Sequence, residues 1–550
     1  MLSRLKLCCA ILLVAGLVGC ASVPADWGRT EVRQLTAERG NSLPQIPDAR
    51  TFTDRALRAP LTVESAVQLA LINNPDMRRE AARLGFAAAE VYEAGRLSNP
   101  TFSLIRLSGD SSAGANVPQL TLGLAFNFVN LLFLPANNRY AQAQFEAAKL
   151  SVADAAMALA SEVEIAWFEA VGADQLSQMR AAAAEAQQAS AELAQRFFHA
   201  GNISRRELAM ERAAASSATL AAITATARAF GARSDLNRLM GLGANQNTWT
   251  LDARLAEPLP EEDDVAHLQK LALDSRLDLA SLRRQAEAIA DRYGFTRRTR
   301  FVNGIEVGVE RERDYDRAVN AGPTLSIELP LFNWGGGRVA AIQAALDDTE
   351  AALDSRVLEV SNAVQLGSAK VSATKALAQE YRSALIPNRE AVVARAQEEQ
   401  NFMLIGIFEV ILEKQQAYEA YAGYIEAVRD YWTARAELSR AVGRNLPSSD
   451  QPAPATLDSE TLLEPKKSGM SHSGHSMGSM SGMQGSIGME SMPAPGKSGE
   501  KPMQHSMPGP TMESKPHADL GSKAPMSGMD HASPDNEGPP SSTAEKQHAH

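Results

Sequence analysis

The chain has 550 residues, enough for several domains, yet aromatic residues make up only 5% of it and alanine-rich runs such as Ala181–Ala184 recur through its middle. Such a composition favours long helices over thick globular cores. The formal charge of −11 argues against nucleic acid, whose binding needs a basic surface to displace counterions.

At the N-terminus, Arg4 and Lys6 precede an apolar run from Leu7 to Val18, too short to span a membrane and of signal-peptide length. It closes with Leu17-Val18-Gly19-Cys20, which resembles the lipobox of bacterial lipoproteins. Small residues before the cysteine admit the lipoprotein peptidase, and the thiol of Cys20 takes a diacylglycerol. Residues 1–19 are therefore expected to be removed, leaving 20–60 as a lipidated, extended linker. Cys8 and Cys9 leave with the signal, so Cys20 has no intrachain partner. Ala21 stands where aspartate would retain an enteric lipoprotein at the inner membrane, which points to the outer membrane. No later stretch of about 18 uncharged apolar residues occurs, so the chain can cross a membrane only as a closed barrel.

Two halves repeat one order of elements, residues 61–244 and 265–446. TVESAVQLALINNPDM at Thr62–Met77 and VAHLQKLALDSRLDL at Val265–Leu279 each read as a short helix, a break and a longer helix. Thr62 is a plausible N-cap, with Glu64 in the first turn to suit the helix dipole.

A pair of strand-like segments follows in each half. Leu120, Leu122, Leu124, Phe126 and Phe128 alternate with small or polar residues, and so do Leu325, Ile327, Leu329 and Leu331 over Thr324–Leu331. Ile305, Val307 and Val309 alternate with Glu306, Gly308 and Glu310, whereas in Thr101–Leu107 Arg106 breaks the apolar side begun by Phe102 and Leu104. This is period two, apolar on one face, with loops at Ser108–Pro118 and Glu312–Pro323. No further strands remain to cover that face, so lipid would cover it, and four strands cannot close a barrel alone. Oligomerisation is required.

Both hairpins lead into long helices. Ala141–Met240 has no proline, and Val339–Val442 has only Pro387; about a hundred residues folded once would give two helices of roughly 75 Å each. Small residues let these helices approach closely. The helical turns fall at Phe198–Ser204, with Glu207 beyond, and at Phe402–Phe408, with Glu409 and Glu413 beyond.

These marks together resemble the outer-membrane efflux (TolC) family: the opening TVESAVQLALINNPDM, the junction LPLFNWGGGR at Leu329–Arg338 and the tip GNISRREL at Gly201–Leu208. The resemblance covers about Leu61–Arg444. It implies a mainly α fold with membrane β, a homotrimer in which each protomer gives four strands to a twelve-stranded outer-membrane barrel and long helices to a periplasmic tunnel. It implies docking onto a periplasmic adaptor (a membrane fusion protein) and an inner-membrane pump. The lipidated N-terminus is similar to the branch serving resistance-nodulation-division pumps. It also implies closure at the tips by acidic rings, for which Glu207, Glu409 and Glu413 are candidates; the apolar Ile405-Gly406-Ile407-Phe408 departs from the common pattern. Solvated helix residues remain the other reading of these carboxylates.

From 447 to 550 the composition changes. Seven of nine histidines and eleven of eighteen methionines lie in the last hundred residues, which contain no aromatic residue and have a disordered composition. The candidate ligands are Met470, His472, His475, Met477, Met480, Met483, Met489, Met492, Met503, His505 and Met507. Thioether sulfur prefers Cu(I) or Ag(I), and imidazole accepts copper as well. Loose capture of those ions is expected, with no resident cofactor and no enzyme activity, since no nucleophile–base pair, phosphate loop or fixed zinc cluster occurs outside the tail. A linker is the competing reading of the tail. The expected function is the exit duct of a copper or silver efflux system. Its rivals are the same duct serving drugs, and a periplasmic metal-binding coiled-coil lipoprotein without a pore.

Overall fold

The computed structural model describes residues 26–41, 49–108, 118–243, 246, 249–251, 254–302 and 304–451. Helices α1 (Arg29–Ala37) and α2 (Ala49–Ala56) come first. One half then runs α3 (Val63–Asn73), α4 (Pro75–Ala94), β1 (Thr101–Leu107), β2 (Gln119–Asn127), α5 (Phe128–His199) and α6 (Arg205–Leu239). The other runs α7 (Val265–Ser275), α8 (Leu277–Thr299), β3 (Ile305–Arg313), β4 (Val319–Ile327), α9 (Gly336–Glu380), a π-helical turn (Tyr381–Leu385), α10 (Ile386–Asn401) and α11 (Ile407–Val442).

The short helices start and stop for local reasons. Thr62 caps α3, its hydroxyl accepting the Ser65 amide at 3.2 Å while the Ser65 hydroxyl accepts the Thr62 amide at 2.9 Å. Asn74 ends α3 and caps α4, accepting the Asp76 amide at 2.7 Å, and Pro75 takes the first helical position, where no amide hydrogen is needed. In the other half Arg276 occupies the same kind of break, its guanidinium donating to the carbonyls of Ala441 and Arg440 at 3.0 and 3.4 Å. The glycines that terminate α6 and α11 meet these breaks. Gly241 (φ 68°) and Gly443 (φ 79°) are left-handed, and a Cβ would lie 2.7 Å from the Asn73 backbone in one and 2.8 Å from Arg276 Cγ in the other.

Helix α5 is the spine. Its 72 residues extend about 108 Å, and its later half runs antiparallel to α11 through a ladder of contacts. Phe168 stacks on Trp432 at 5.4 Å, Arg180 ion-pairs with Glu419, and Gln187 donates to Gln415 at 3.0 Å. Its earlier half packs on α8, where Ser151 and Ser281 hydroxyls meet at 3.0 Å and Phe133 meets Phe295 edge to face at 5.1 Å. The largest buried cluster joins α3, α5, α6 and α11 around Leu69, Trp167, Leu236, Trp249 and Tyr424. Buried tryptophans are satisfied: Trp167 donates to the Leu61 carbonyl at 3.0 Å and Trp249 to Asn237 at 2.7 Å.

Three sequence expectations are corrected. Residues 29–37 and 49–56 are helical, not an extended linker: α1 buries Val32 with Leu84, Phe145 and Met157, and Glu31 ion-pairs with Lys149. Burial against α5 supplies a helix that local pattern alone does not. The long helices are also unequal. α5 has 72 residues against 35 in α6, and helix continues from Gly336 to Asn401 through the π-helical turn, against 36 residues in α11. The π turn lies just before Pro387, whose ring excludes the ordinary bond to the Ser383 carbonyl, so the wider turn absorbs the proline. The third correction moves β4 from Thr324–Leu331 to Val319–Ile327. The hairpin turn is only 314–318, held by the Asp314 amide donating to the Ala318 carbonyl at 2.9 Å and by Asp316 accepting the Ala318 amide at 2.8 Å. Pro323 sits within β4, where an edge position tolerates the missing donor.

Candidate functional site

The four strands form one antiparallel sheet in the order β1-β2-β3-β4. Residues of β2 pair with β3 from Leu120↔Arg313 to Asn127↔Glu306, so the two hairpins, far apart in sequence, are joined edge to edge. β1 and β4 are the outer strands, and every residue of both is exposed. Unpaired edges of this length are a liability unless another chain pairs with them.

The register fixes two faces. On one lie Phe102 and Leu104, then Leu122, Leu124 and Phe126, then Val307 and Val309, then Leu325 and Ile327. The opposite face carries Ser103, Thr121, Gly123, Asn127, Thr324 and Ser326, and along β3 the carboxylates of Glu306, Glu310 and Glu312. Glu312 accepts a hydrogen bond from Gln119 on that face. Among the described residues no second layer covers the apolar face: Phe102, Leu104, Leu124, Val307, Val309, Leu325 and Ile327 are all exposed. Where the strands meet the helices, Phe128, Phe301, Phe332 and Trp334 are exposed as well, forming an aromatic fringe at one end of the apolar band.

The helical turns are adjacent. Phe197 and Phe408 stand edge to face at 5.8 Å, bringing the end of α5 to the start of α11. Gly201 (φ 79°) makes the first turn, and Ser204 caps α6 as the sequence suggests. Glu207 completes that cap: its carboxylate accepts the Ser204 amide at 2.7 Å, and its amide donates to the Ser204 hydroxyl at 3.2 Å. Those bonds to Ser204 hold the Glu207 carboxyl below the usual range. Glu409 and Glu413 instead share a groove with Arg395, Glu399 and Leu412, and Glu413 ion-pairs with Arg389 at 3.7 Å. The structure therefore groups Glu409 with Glu413 and gives Glu207 a capping role of its own.

Cys20 and all of the candidate tail ligands, from Met470 to Met507, lie outside the described residues. Among the described residues no group of three or more His, Cys, Asp or Glu side chains could hold a metal, and no helix is long and apolar enough to cross a membrane. Glu312, Arg311 and Arg313, assigned by sequence to a loop or its border, belong to β3. The signal was present as unbroken alternation through Glu310-Arg311-Glu312-Arg313, but charge on both faces hid it.

Exposed apolar stripes run along two helices: Met210, Leu220, Ile223 and Phe230 on α6, and Leu358, Leu366 and Leu377 on α9. Spacings of ten, three and seven residues on α6, and of eight and eleven on α9, mark helical seams that lack a partner among the described residues.

Comparison with known proteins agrees with this geometry. The family model described as outer membrane efflux protein matches residues 66–242. The cobalt-zinc-cadmium resistance protein CzcC of Cupriavidus metallidurans is 23% identical over 395 residues, 71% of this chain and 92% of that protein. Among solved structures, the Campylobacter jejuni CmeC outer membrane channel superposes with a TM-score of 0.60 at 16% identity, covering 78% of this chain and 94% of its own. CusC, solved in conformations accompanying folding and transmembrane channel formation, gives 0.59 at 14% identity, covering 74% and 96%. At these identities the structures establish the fold they share.

Proposed function

We propose that this chain, whose residues 66–242 match the outer membrane efflux protein model and which is similar to CzcC over 71% of its length, is the passive exit duct of a tripartite heavy-metal efflux system. The observation that carries this reading is the four-stranded sheet with an uncovered apolar face and two unpaired edges. Adding β4 of one copy to β1 of the next keeps every pair antiparallel, and three copies give twelve strands, an even number within the range of membrane barrels. Lipid covers the apolar face, and the exposed stripes on α6 and α9 pack between copies. The same head-to-tail operation, closed after three steps, satisfies edges and seams together.

Closure turns Glu306, Glu310 and Glu312 of each copy inward, so carboxylates line the lumen from end to end of β3. Rings of that kind favour cations over anions. The carboxylate lining, the cobalt, zinc and cadmium in the name of the relative CzcC, and the methionine- and histidine-rich composition of the tail together favour metal over drug cargo. Within metals, the thioethers favour Cu(I) and Ag(I). An acyl group on Cys20 would hold the chain to the outer membrane, and a periplasmic adaptor with an inner-membrane pump would supply the energy. The test is reconstitution: full-length protein should migrate as a heat-modifiable trimer and conduct cations in planar bilayers. A monomer that never conducts would leave a pore-less metal-binding lipoprotein as the better reading. Unchanged copper and silver tolerance on gene deletion, beside lost antibiotic tolerance, would transfer the duct to drugs.

A further inference from the structure

Three arginines interrupt the apolar face of the sheet, all at the hairpin end. Arg106 on β1 pairs with Leu120, Leu120 pairs with Arg313, and Arg311 pairs with Leu122. Arg106 and Arg313 thus flank Leu120 across roughly 10 Å, and Arg311 stands about 7 Å further along β3. All three are exposed, and among the described residues none of their guanidiniums has an ion-pair or hydrogen-bond partner. The nearby acids do not answer them. Glu310 and Glu312 point to the opposite face, while Asp314 and Asp316 accept the Tyr315 and Ala318 amides within the turn, each at 2.8 Å.

We propose that Arg106, Arg311 and Arg313 form a binding site, on the lipid-facing side of the barrel, for the phosphates of a glycolipid in the outer leaflet. The inference rests on the barrel reading, which turns this face toward lipid. The orientation comes from the structure itself. Helices leave the sheet at the end that bears Phe332 and Trp334, and the 314–318 turn lies at the other end, beside Leu107 and Gln119 where β1 ends and β2 begins. The arginines therefore reach the leaflet opposite the periplasmic helices. A guanidinium facing acyl chains is costly, and the cost falls toward the headgroups. A long arginine stem lies along the apolar surface and lifts its head to that level. There a planar fork binds phosphate bidentately, and three forks on one patch suit a head with more than one phosphate. Zwitterionic phospholipid, with its own ammonium, neutralises such a cluster poorly.

The experiment titrates detergent-solubilised full-length trimer with bisphosphorylated lipid A, and with the same lipid stripped of phosphate, reading retained lipid by native mass spectrometry. The wild type should retain the phosphorylated form at least about tenfold better. The variant R106Q/R311Q/R313Q should lose that preference while keeping the trimer band and conductance. If this variant does not assemble, Arg106→Gln alone should lower the preference several-fold. Equal retention of the two lipids by conducting wild-type trimer overturns the proposal and leaves the duct intact. So does an unchanged preference in the variants, or full displacement of the lipid by millimolar inorganic phosphate. Failure of the wild type to form a conducting trimer removes the barrel, and the proposal falls with it.

Discussion

Asn74 donates its side-chain amide to the carbonyl of Leu239, 2.9 Å away, so the break between α3 and α4 also closes the end of α6. The other half uses Arg276 on Arg440 and Ala441, aided by the Ser275 hydroxyl on the Val442 carbonyl at 2.7 Å. Two different side chains thus satisfy helix-end carbonyls in equivalent places. Asn74 is buried, and Asn74→Ala would remove both this bond and the cap of α4. The expected loss is about 1–3 kcal/mol, seen as a lower urea midpoint. Asn74→Ser keeps a capping oxygen without placing a charge against the Leu239 carbonyl and should lose less. Equal midpoints for wild type and Asn74→Ala would show that the break does not bear on stability.

At the tips, the carboxylates should separate by role. Glu207 is committed to the Ser204 cap, so Glu207→Gln should leave ion selectivity unchanged and lower the urea midpoint only slightly, because glutamine can still reach the Ser204 amide. Glu409→Gln with Glu413→Gln should lower the cation-to-anion permeability ratio, read as reversal potential in a salt gradient, because like charges on symmetric copies raise local cation concentration. Glu306, Glu310 and Glu312 should act in the same direction when neutralised, independently of the tips. Selectivity that follows Glu207 and ignores Glu409 would reverse this assignment.

What the sequence discloses divides by the range of the contacts. Period two exposed β2, one face of which is apolar throughout, and β3 as far as Val309, beyond which Arg311 and Arg313 take over that face. It found Leu325 and Ile327 but missed the first half of β4, where Ala321, Gly322 and Pro323 read as a loop, because a strand that must be an edge in one copy has no need of strong apolar alternation there. The joining of β2 to β3 through Leu124↔Val309 and its neighbours has no local signature at all. Helix α1 was unreadable for a related reason: Val32 sits in a largely polar stretch, and its burial site is built by Leu84 of α4 and by Phe145 and Met157 of α5, far along the chain. At the tips, Ser204 was readable as a cap, but a capping glutamate and a pore glutamate look alike in sequence until the Ser204 amide is seen on Glu207.

Glu164, on α5, is buried enough that its carboxyl is pushed up from 4.5 to about 7, with Arg435 opposing the shift. The native state therefore holds a proton that the unfolded chain releases near pH 4.5. Its contribution is most favourable below that pH, declines as pH rises from about 4.5 to 7, and is lost above. The difference amounts to as much as roughly 3 kcal/mol. Glu164→Gln should flatten this slope, so that the variant gains on wild type in urea midpoint at pH 8 and not at pH 4.5. Parallel profiles for the two proteins would mean that the carboxyl is solvated in the assembled trimer.

The tail prediction depends on where the cut is made. Ser448 belongs to the folded body, its hydroxyl donating to Asp263 at 2.6 Å, and Arg435 donates to that hydroxyl at 2.5 Å. Removing everything after Pro447 would strip Ser448 from buried Arg435 and confuse lost packing with lost metal capture. A chain ending at Lys467 keeps these contacts and removes Met470 to Met507 with all the remaining tail histidines. It should form trimers of wild-type stability and conductance, yet confer lower copper and silver tolerance, with antibiotic tolerance unchanged. Thioethers account for such a pattern because they select soft monovalent ions and leave organic cations alone. Replacing the tail methionines by leucine at full length should reproduce the copper and silver defect. If leucine restores full tolerance, chain length rather than sulfur is what the tail contributes.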